Sequence, residues 1–136
     1  MNSKICKLLL VWKDPQSLQR FVVGKLTYRR EDKKYQFSYS SDNLQKAVEV
    51  GFTNYPIFPD LEEHYEIQGQ LFPGLMNRLP NKNRPNYPEI LIKYNLDITS
   101  TDMEILGATR GRLGTDCFEF VPTGIVNKVI MKVSFK

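Results

Sequence analysis

Arg110-Gly111-Arg112-Leu113-Gly114 is the stretch of this 136-residue chain whose residue types come closest to a ligand loop. Glycine tolerates positive φ and lets a ligand approach the backbone. Exposed amides here would cradle a phosphate while Arg110 or Arg112 pairs with it. The spacing argues otherwise. A P-loop needs GxxxxGK[ST] and a Rossmann turn needs GxGxxG leaving a strand, whereas a KH domain places its GxxG between two helices. Here the glycines lead into Thr115–Val121, which reads as a strand, so a helix-to-strand connection is the simpler expectation. Glu62, Glu63 and Glu66 are close in sequence, but acid–base work needs a positioned pair with separated pKa values, and adjacent glutamates are usually a solvated surface. His64, the single histidine, has no Ser or Cys at a spacing that would make it the base of a nucleophile. The HRD, DFG and VAIK signatures of kinases are absent. No catalytic residue is expected.

Metal and redox chemistry are poorly supplied as well. Zinc wants about four N, S or acidic ligands at recognisable spacing, and one histidine with the distant Cys6 and Cys117 does not provide them. The two cysteines are expected to be reduced and to pack as small apolar residues. No metal and no cofactor are therefore expected. No apolar run approaches the ~20 residues that cross a bilayer, and the start lacks the length and cleavage site of a signal peptide, so a cytoplasmic protein with no membrane partner is expected. The formal charge of +4 is uneven: residues 1–50 hold ten Lys/Arg against five Asp/Glu, residues 51–100 four against six, and residues 101–136 five against four. The densest basic run is Arg29, Arg30, Lys33 and Lys34. It lies between two strand-like segments, so a solvated hairpin tip accounts for it, with a nucleic-acid patch that also uses Arg110 and Arg112 as the alternative.

The elements follow from periodicity. Ile5–Trp12, Phe21–Tyr28 and Tyr35–Tyr39 read as strands, the last with strict alternation that puts three aromatics on one face. Trp12, at the end of the first, is expected in the core. Ser41-Asp42-Asn43 offers N-cap chemistry for a helix over Leu44–Val50, with Gly51 just past its end. Residues 51–63 hold two prolines and no helical period, predicting an ordered aromatic loop. Helices are predicted over Leu71–Leu79, Pro88–Asn95 and Met103–Ala108, the last capped by Ser100-Thr101-Asp102. Cys117–Val121 alternates, and a turn at Pro122-Thr123-Gly124 would join it to Val126–Phe135 as a terminal hairpin. The expected fold is α+β: N-terminal antiparallel strands, several short helices in the middle and a C-terminal β-hairpin, in one compact domain over residues 1–136.

Val23-Gly24-Lys25-Leu26-Thr27-Tyr28, Tyr35-Gln36-Phe37-Ser38-Tyr39, and Leu71-Phe72-Pro73 running on to Asn77-Arg78-Leu79-Pro80 together resemble the N-terminal subdomain of HipA-type toxin kinases. That subdomain also occurs as a free small protein, HipS, in tripartite HipBST toxin–antitoxin operons. Phe58-Pro59-Asp60-Leu61, Leu71-Phe72-Pro73, Asn77-Arg78-Leu79, Arg84-Pro85-Asn86-Tyr87 and Ala108–Arg112 through Thr115–Phe120 look, in addition, like the segment preceding HIRAN domains in bacterial HIRAN-containing proteins. The resemblance covers about residues 20–122. Gly74 and Leu75 stand where the helix often carries an aromatic, and Asn86 replaces the usual Asp. A HIRAN domain would need on the order of a hundred further residues, so its nucleic-acid-end binding is not carried over.

What the resemblance implies is a non-catalytic subunit that docks on a HipA/HipT-type Ser/Thr kinase and neutralises it. A HipB-like helix-turn-helix DNA-binding protein would be a further member of the same complex, and direct nucleic-acid binding is not expected. The alternative it leaves open is a nucleic-acid-associated module related to HIRAN-containing proteins. Surplus aromatics in loops suit a binding module, and the contact is expected at Phe52, Tyr55, Phe58, Phe72, Leu75 and Met76.

Overall fold

Alternating apolar residues build the sheet in the computed structural model, which describes residues 7–39, 43–111 and 117–123. On β1 (Lys7–Lys13), Leu8, Leu10 and Trp12 enter the main core while Val11 joins a small cluster with Val121 and Val22. β2 (Arg20–Arg29) pairs antiparallel with β1, and the register slips by one between Leu10 and Val11. Leu10 faces Gly24 and Val11 faces Val22, so Val23 is the extra residue of a β-bulge. The slip sends Phe21, Val23 and Leu26 into one core despite their uneven spacing. Gly24 is required there by space: a Cβ would sit 2.8 Å from the Phe37 ring and 2.9 Å from the Ser38 carbonyl oxygen.

β3 (Lys34–Ser38) completes a hairpin with β2, Arg29 opposite Lys34, with Lys33 in the left-handed region at φ 55° to close the turn. β4 (His64–Gln68) pairs with β3, and β5 (Phe118–Pro122) with β1. Every pairing is antiparallel, in the order β4-β3-β2-β1-β5. The fold is α+β, as the sequence predicts. The predicted partner of β5, Val126–Phe135, lies outside the described residues.

β4 is a strand that sequence reasoning did not assign. His64-Tyr65-Glu66-Ile67-Gln68 alternates, with Tyr65 and Ile67 packed against the core and the polar residues outward. The helices are short. α1 (Leu44–Glu49) ends in a Schellman motif: Phe52 N–H reaches the Ala47 carbonyl and Gly51 N–H the Val48 carbonyl. α3 (Tyr87–Lys93) ends the same way, with Asn95 at φ 60° in the glycine position and Leu96 N–H on the Leu91 carbonyl at 2.7 Å. α4 (Asp102–Thr109) starts on a full capping box. The Thr101 hydroxyl accepts from Glu104 N–H, and the Glu104 carboxylate accepts from Thr101 N–H.

The expected helix over Leu71–Leu79 is a correction: only α2 (Pro73–Met76) is helical. The chain leaves the α-helix after one turn: Arg78 N–H and Leu79 N–H reach back only three residues, to the Leu75 and Met76 carbonyls, a tighter winding than the helix, and Leu75 and Arg78 are both buried. β4 and β5 lie at opposite edges, so residues 69–117 must cross the sheet. α2, α3 and α4 are carried by that crossing, and α4 packs on β1 and β5.

Candidate functional site

Five of the six side chains expected to meet a partner belong instead to the core. Phe52, Tyr55, Phe58, Phe72 and Leu75 are buried, and Met76, 43% exposed, is the one at the surface. The reason is the fold of the aromatic loop. Phe58 N–H donates to the Tyr55 carbonyl across a tight turn with Pro56 and Ile57 at its tip, and the turn inserts into the sheet's core face. Phe58 stacks on Phe37 at 4.1 Å between centroids and meets Phe72 edge-on at 5.1 Å. The buried Tyr39 hydroxyl fastens the turn, accepting from Tyr55 N–H and donating to the Phe58 carbonyl, both at 2.6 Å. Burial pushes the Tyr39 phenol up to about 12. Prolines and aromatics thus mark an inward plug. Trp12 is core too, stacked with Phe21 and tilted against Phe52.

The basic candidates are largely occupied by their neighbours. Arg29 forks onto the Asp32 carboxylate at 3.0 and 2.8 Å, which holds that carboxyl below its ordinary value. Lys34 pairs with Glu66 across the β3–β4 register. Arg110 shares Glu119 with Arg20. Arg20 and Arg29 are the two ends of β2, so at about 3.3 Å per residue the two groups of cations stand roughly 30 Å apart. The structure does not bring them into one patch. Arg30 and Lys33 are exposed at the hairpin tip, and Arg112 lies outside the described residues. The glutamates do not converge either: Glu66 is engaged by Lys34 and Gln36 on the edge strand. Gly111, at φ 57°, directs its carbonyl inward to Arg78, so its left-handed conformation serves the end of α4.

Arg78 is the residue that sequence reasoning missed. Only 6% exposed, it donates from Nε to the Tyr55 hydroxyl and from a terminal nitrogen to the Gly111 carbonyl at 2.8 Å. Its guanidinium lies 5.1 Å from the Tyr55 ring centroid and 5.9 Å from that of Phe118, where the ring faces favour a desolvated cation. One side chain therefore ties α2, the aromatic turn and the end of α4 together. A signal was present: an Arg beside Asn77 in an otherwise apolar Leu71–Pro80 run.

Around this latch the surface opens into two clefts that share Asn77, Leu79 and Pro80 as a wall. The first, about 560 Å³, has Arg78 in its lining with Arg84, Asn86, Lys93 and Tyr94 around it, and Glu89 as its one acid. The second, about 450 Å³, is mainly apolar, lined by Met76, Leu79, Pro80, Tyr87 and Ile105, with Asn77, Asn81 and Lys82 as its polar residues. Volumes in this range hold a small ligand or a few residues of a peptide.

Among the described residues no three His, Cys, Asp or Glu side chains gather as a metal-ligand set, and no helix is long and apolar enough to cross a membrane. Comparison with protein-family models, curated proteins and solved structures finds no match to this chain.

Proposed function

We propose that this chain is a non-catalytic, cytoplasmic binding subunit that docks on a HipA/HipT-type Ser/Thr kinase and neutralises it, through the wall at Asn77–Pro80 and its two flanking clefts. The observation that carries this reading is a coincidence of place. Leu71-Phe72-Pro73 through Asn77-Arg78-Leu79-Pro80 is one of the segments that together resemble the HipA N-terminal subdomain, and its outer end, Met76–Pro80, lines the two clefts. It is anchored from within by Leu71, Phe72, Leu75 and Arg78, leaving Met76 and Asn77 outward. A rigid segment with a buried inner side and an open outer side is what a docking element requires, since little ordering entropy is lost when the partner arrives. A HipB-like DNA-binding protein would join as a third component.

The test is co-expression with a HipA/HipT-type kinase from the same source. A co-purifying complex and restored growth are expected, and Met76→Asp should weaken both by placing an uncompensated charge in the apolar cleft. Absence of a complex together with unrelieved toxicity would refute the reading.

A further inference from the structure

The geometry points to a specific chemistry for the partner's docking segment: a short acidic stretch carrying an apolar anchor, the acid received by the cleft of Arg84 and Lys93 and the anchor by the cleft of Met76, Leu79, Pro80 and Tyr87. This deepens the docking reading above and rests on it.

The argument begins with where charge has gone. Residues 51–100 hold four cations and six acids. All four cations, Arg78, Lys82, Arg84 and Lys93, line the two clefts, and only Glu89 of the six acids does. A stretch that is acidic on average has therefore placed its three exposed cations, Lys82, Arg84 and Lys93, along the two clefts, with Arg78 turned inward. Among the described residues, Lys82, Arg84 and Lys93 make no ion pair. Lys93 lies 5.5 Å from the Tyr94 ring centroid, which steadies the ammonium at the cleft without neutralising it.

The second observation is that the basic cleft and the apolar cleft share one wall. An anchor residue entering one side places its neighbours over the other, so a single segment fills both. A cationic surface beside an apolar pocket is complementary to carboxylates beside an apolar side chain, and such complementarity selects partners and speeds their encounter. A nucleic acid would satisfy the cations but leave the Met76–Ile105 cleft unfilled.

The test is selection of displayed random peptides against the full-length chain, followed by affinity measurement on the selected peptides. Enrichment of Asp or Glu next to Leu, Ile, Met or Phe is expected. Arg84→Glu combined with Lys93→Glu, both exposed and outside the core, should weaken those peptides by at least about tenfold while the melting curve stays unchanged. Met76→Asp should weaken them independently. Peptides without acids, peptides indifferent to the double charge reversal, no enrichment at all, or capture of a DNA oligonucleotide in their place would each overturn the inference. The two readings separate cleanly. A kinase that still binds the double variant leaves the docking partner standing and removes this chemistry. Acidic peptides that bind when the kinase does not leave this chemistry standing and remove the kinase.

Discussion

The hairpin tip at Arg29–Lys34 and the wall at Asn77–Pro80 both concentrate positive charge, but they differ in what lies within reach of it. At the tip, the chain supplies its own anions: Asp32 sits three residues from Arg29, and Glu66 lies on the strand that pairs beside Lys34. At the wall, the one cation drawn inward, Arg78, is held by a phenol, a carbonyl and two aromatic faces, while the outer cations stay in water. Of the four cations at the tip, Arg29 and Lys34 are thus already paired, while Arg30 and Lys33 are exposed. Exposed ion pairs of the first kind contribute little to stability and are screened by salt. A desolvated guanidinium of the second kind is expensive to disturb, because its partners are buried with it.

That contrast can be broken most directly at Arg78. Arg78→Ala leaves the Tyr55 hydroxyl and the Gly111 carbonyl without their donor and should cost about 2–4 kcal/mol, read from urea denaturation. A loss below about 0.5 kcal/mol, the range of ordinary surface changes, would mean that the latch is ornamental. Next in size is the Tyr39 fastening. Tyr39→Phe removes one acceptor from Tyr55 N–H and one donor from the Phe58 carbonyl, and a loss of about 1–3 kcal/mol is expected in the same assay.

The same core has an alkaline limit. Burial raises Tyr35 and Tyr39 from 10.0 to about 12, so both stay protonated in the fold while the unfolded chain ionises. Their contribution is whole below pH 10 and lost as pH climbs through 12. Tyrosinate absorbance and circular dichroism should therefore change together across that window, and Tyr39→Phe should make the decline shallower.

The smallest effects belong to the turns held by aspartates. Asp14 is held below its ordinary value first by the Ser17 hydroxyl, Asp97 first by the Thr99 hydroxyl and Asp32 first by Arg29. The unfolded chain takes up protons before these groups do, so their support is present above the ordinary value of 3.8 and lost as pH falls below it. Asp32→Asn should leave the neutral-pH melting temperature unchanged and flatten this acid decline slightly. A clear loss at neutral pH would show that the hairpin pair matters more than its exposure implies.

How much of this was legible in the sequence depends on whether the deciding interaction was local. The β2–β3 hairpin, the Thr101 capping box and Gly51 past α1 were readable, because each rests on residues within a few positions of one another. Asn43 occupies the N-cap position of α1 without a side-chain capping hydrogen bond, and the neighbouring Ser41 and Asp42 lie outside the described residues. β4 carries its alternation openly, with Tyr65 and Ile67 on the core side between outward polar residues. The inward plug at Tyr55–Phe58 and the inward turn of Arg78 were not legible. Their partners, Tyr39 and Gly111, lie sixteen and thirty-three residues away, and only the folded sheet brings them into reach. Five of the six expected contact residues are buried for this reason: aromatic loops read as surface when the site that swallows them is remote in sequence.

The opposite-edge placement of β4 and β5 has a consequence for the order in which the molecule is made. β1 to β4 follow one another across the sheet and can pair soon after they are synthesised, whereas β5 closes on β1, with Pro122 opposite Leu8, across a loop of roughly a hundred residues. Pairings of such range are late and slow. The Gly111 carbonyl that receives Arg78 lies just ahead of β5, so the latch, and with it the wall between the two clefts, is set only as β5 arrives. A nascent chain would carry its sheet before it carries its docking surface, and competence to bind would mark completed folding.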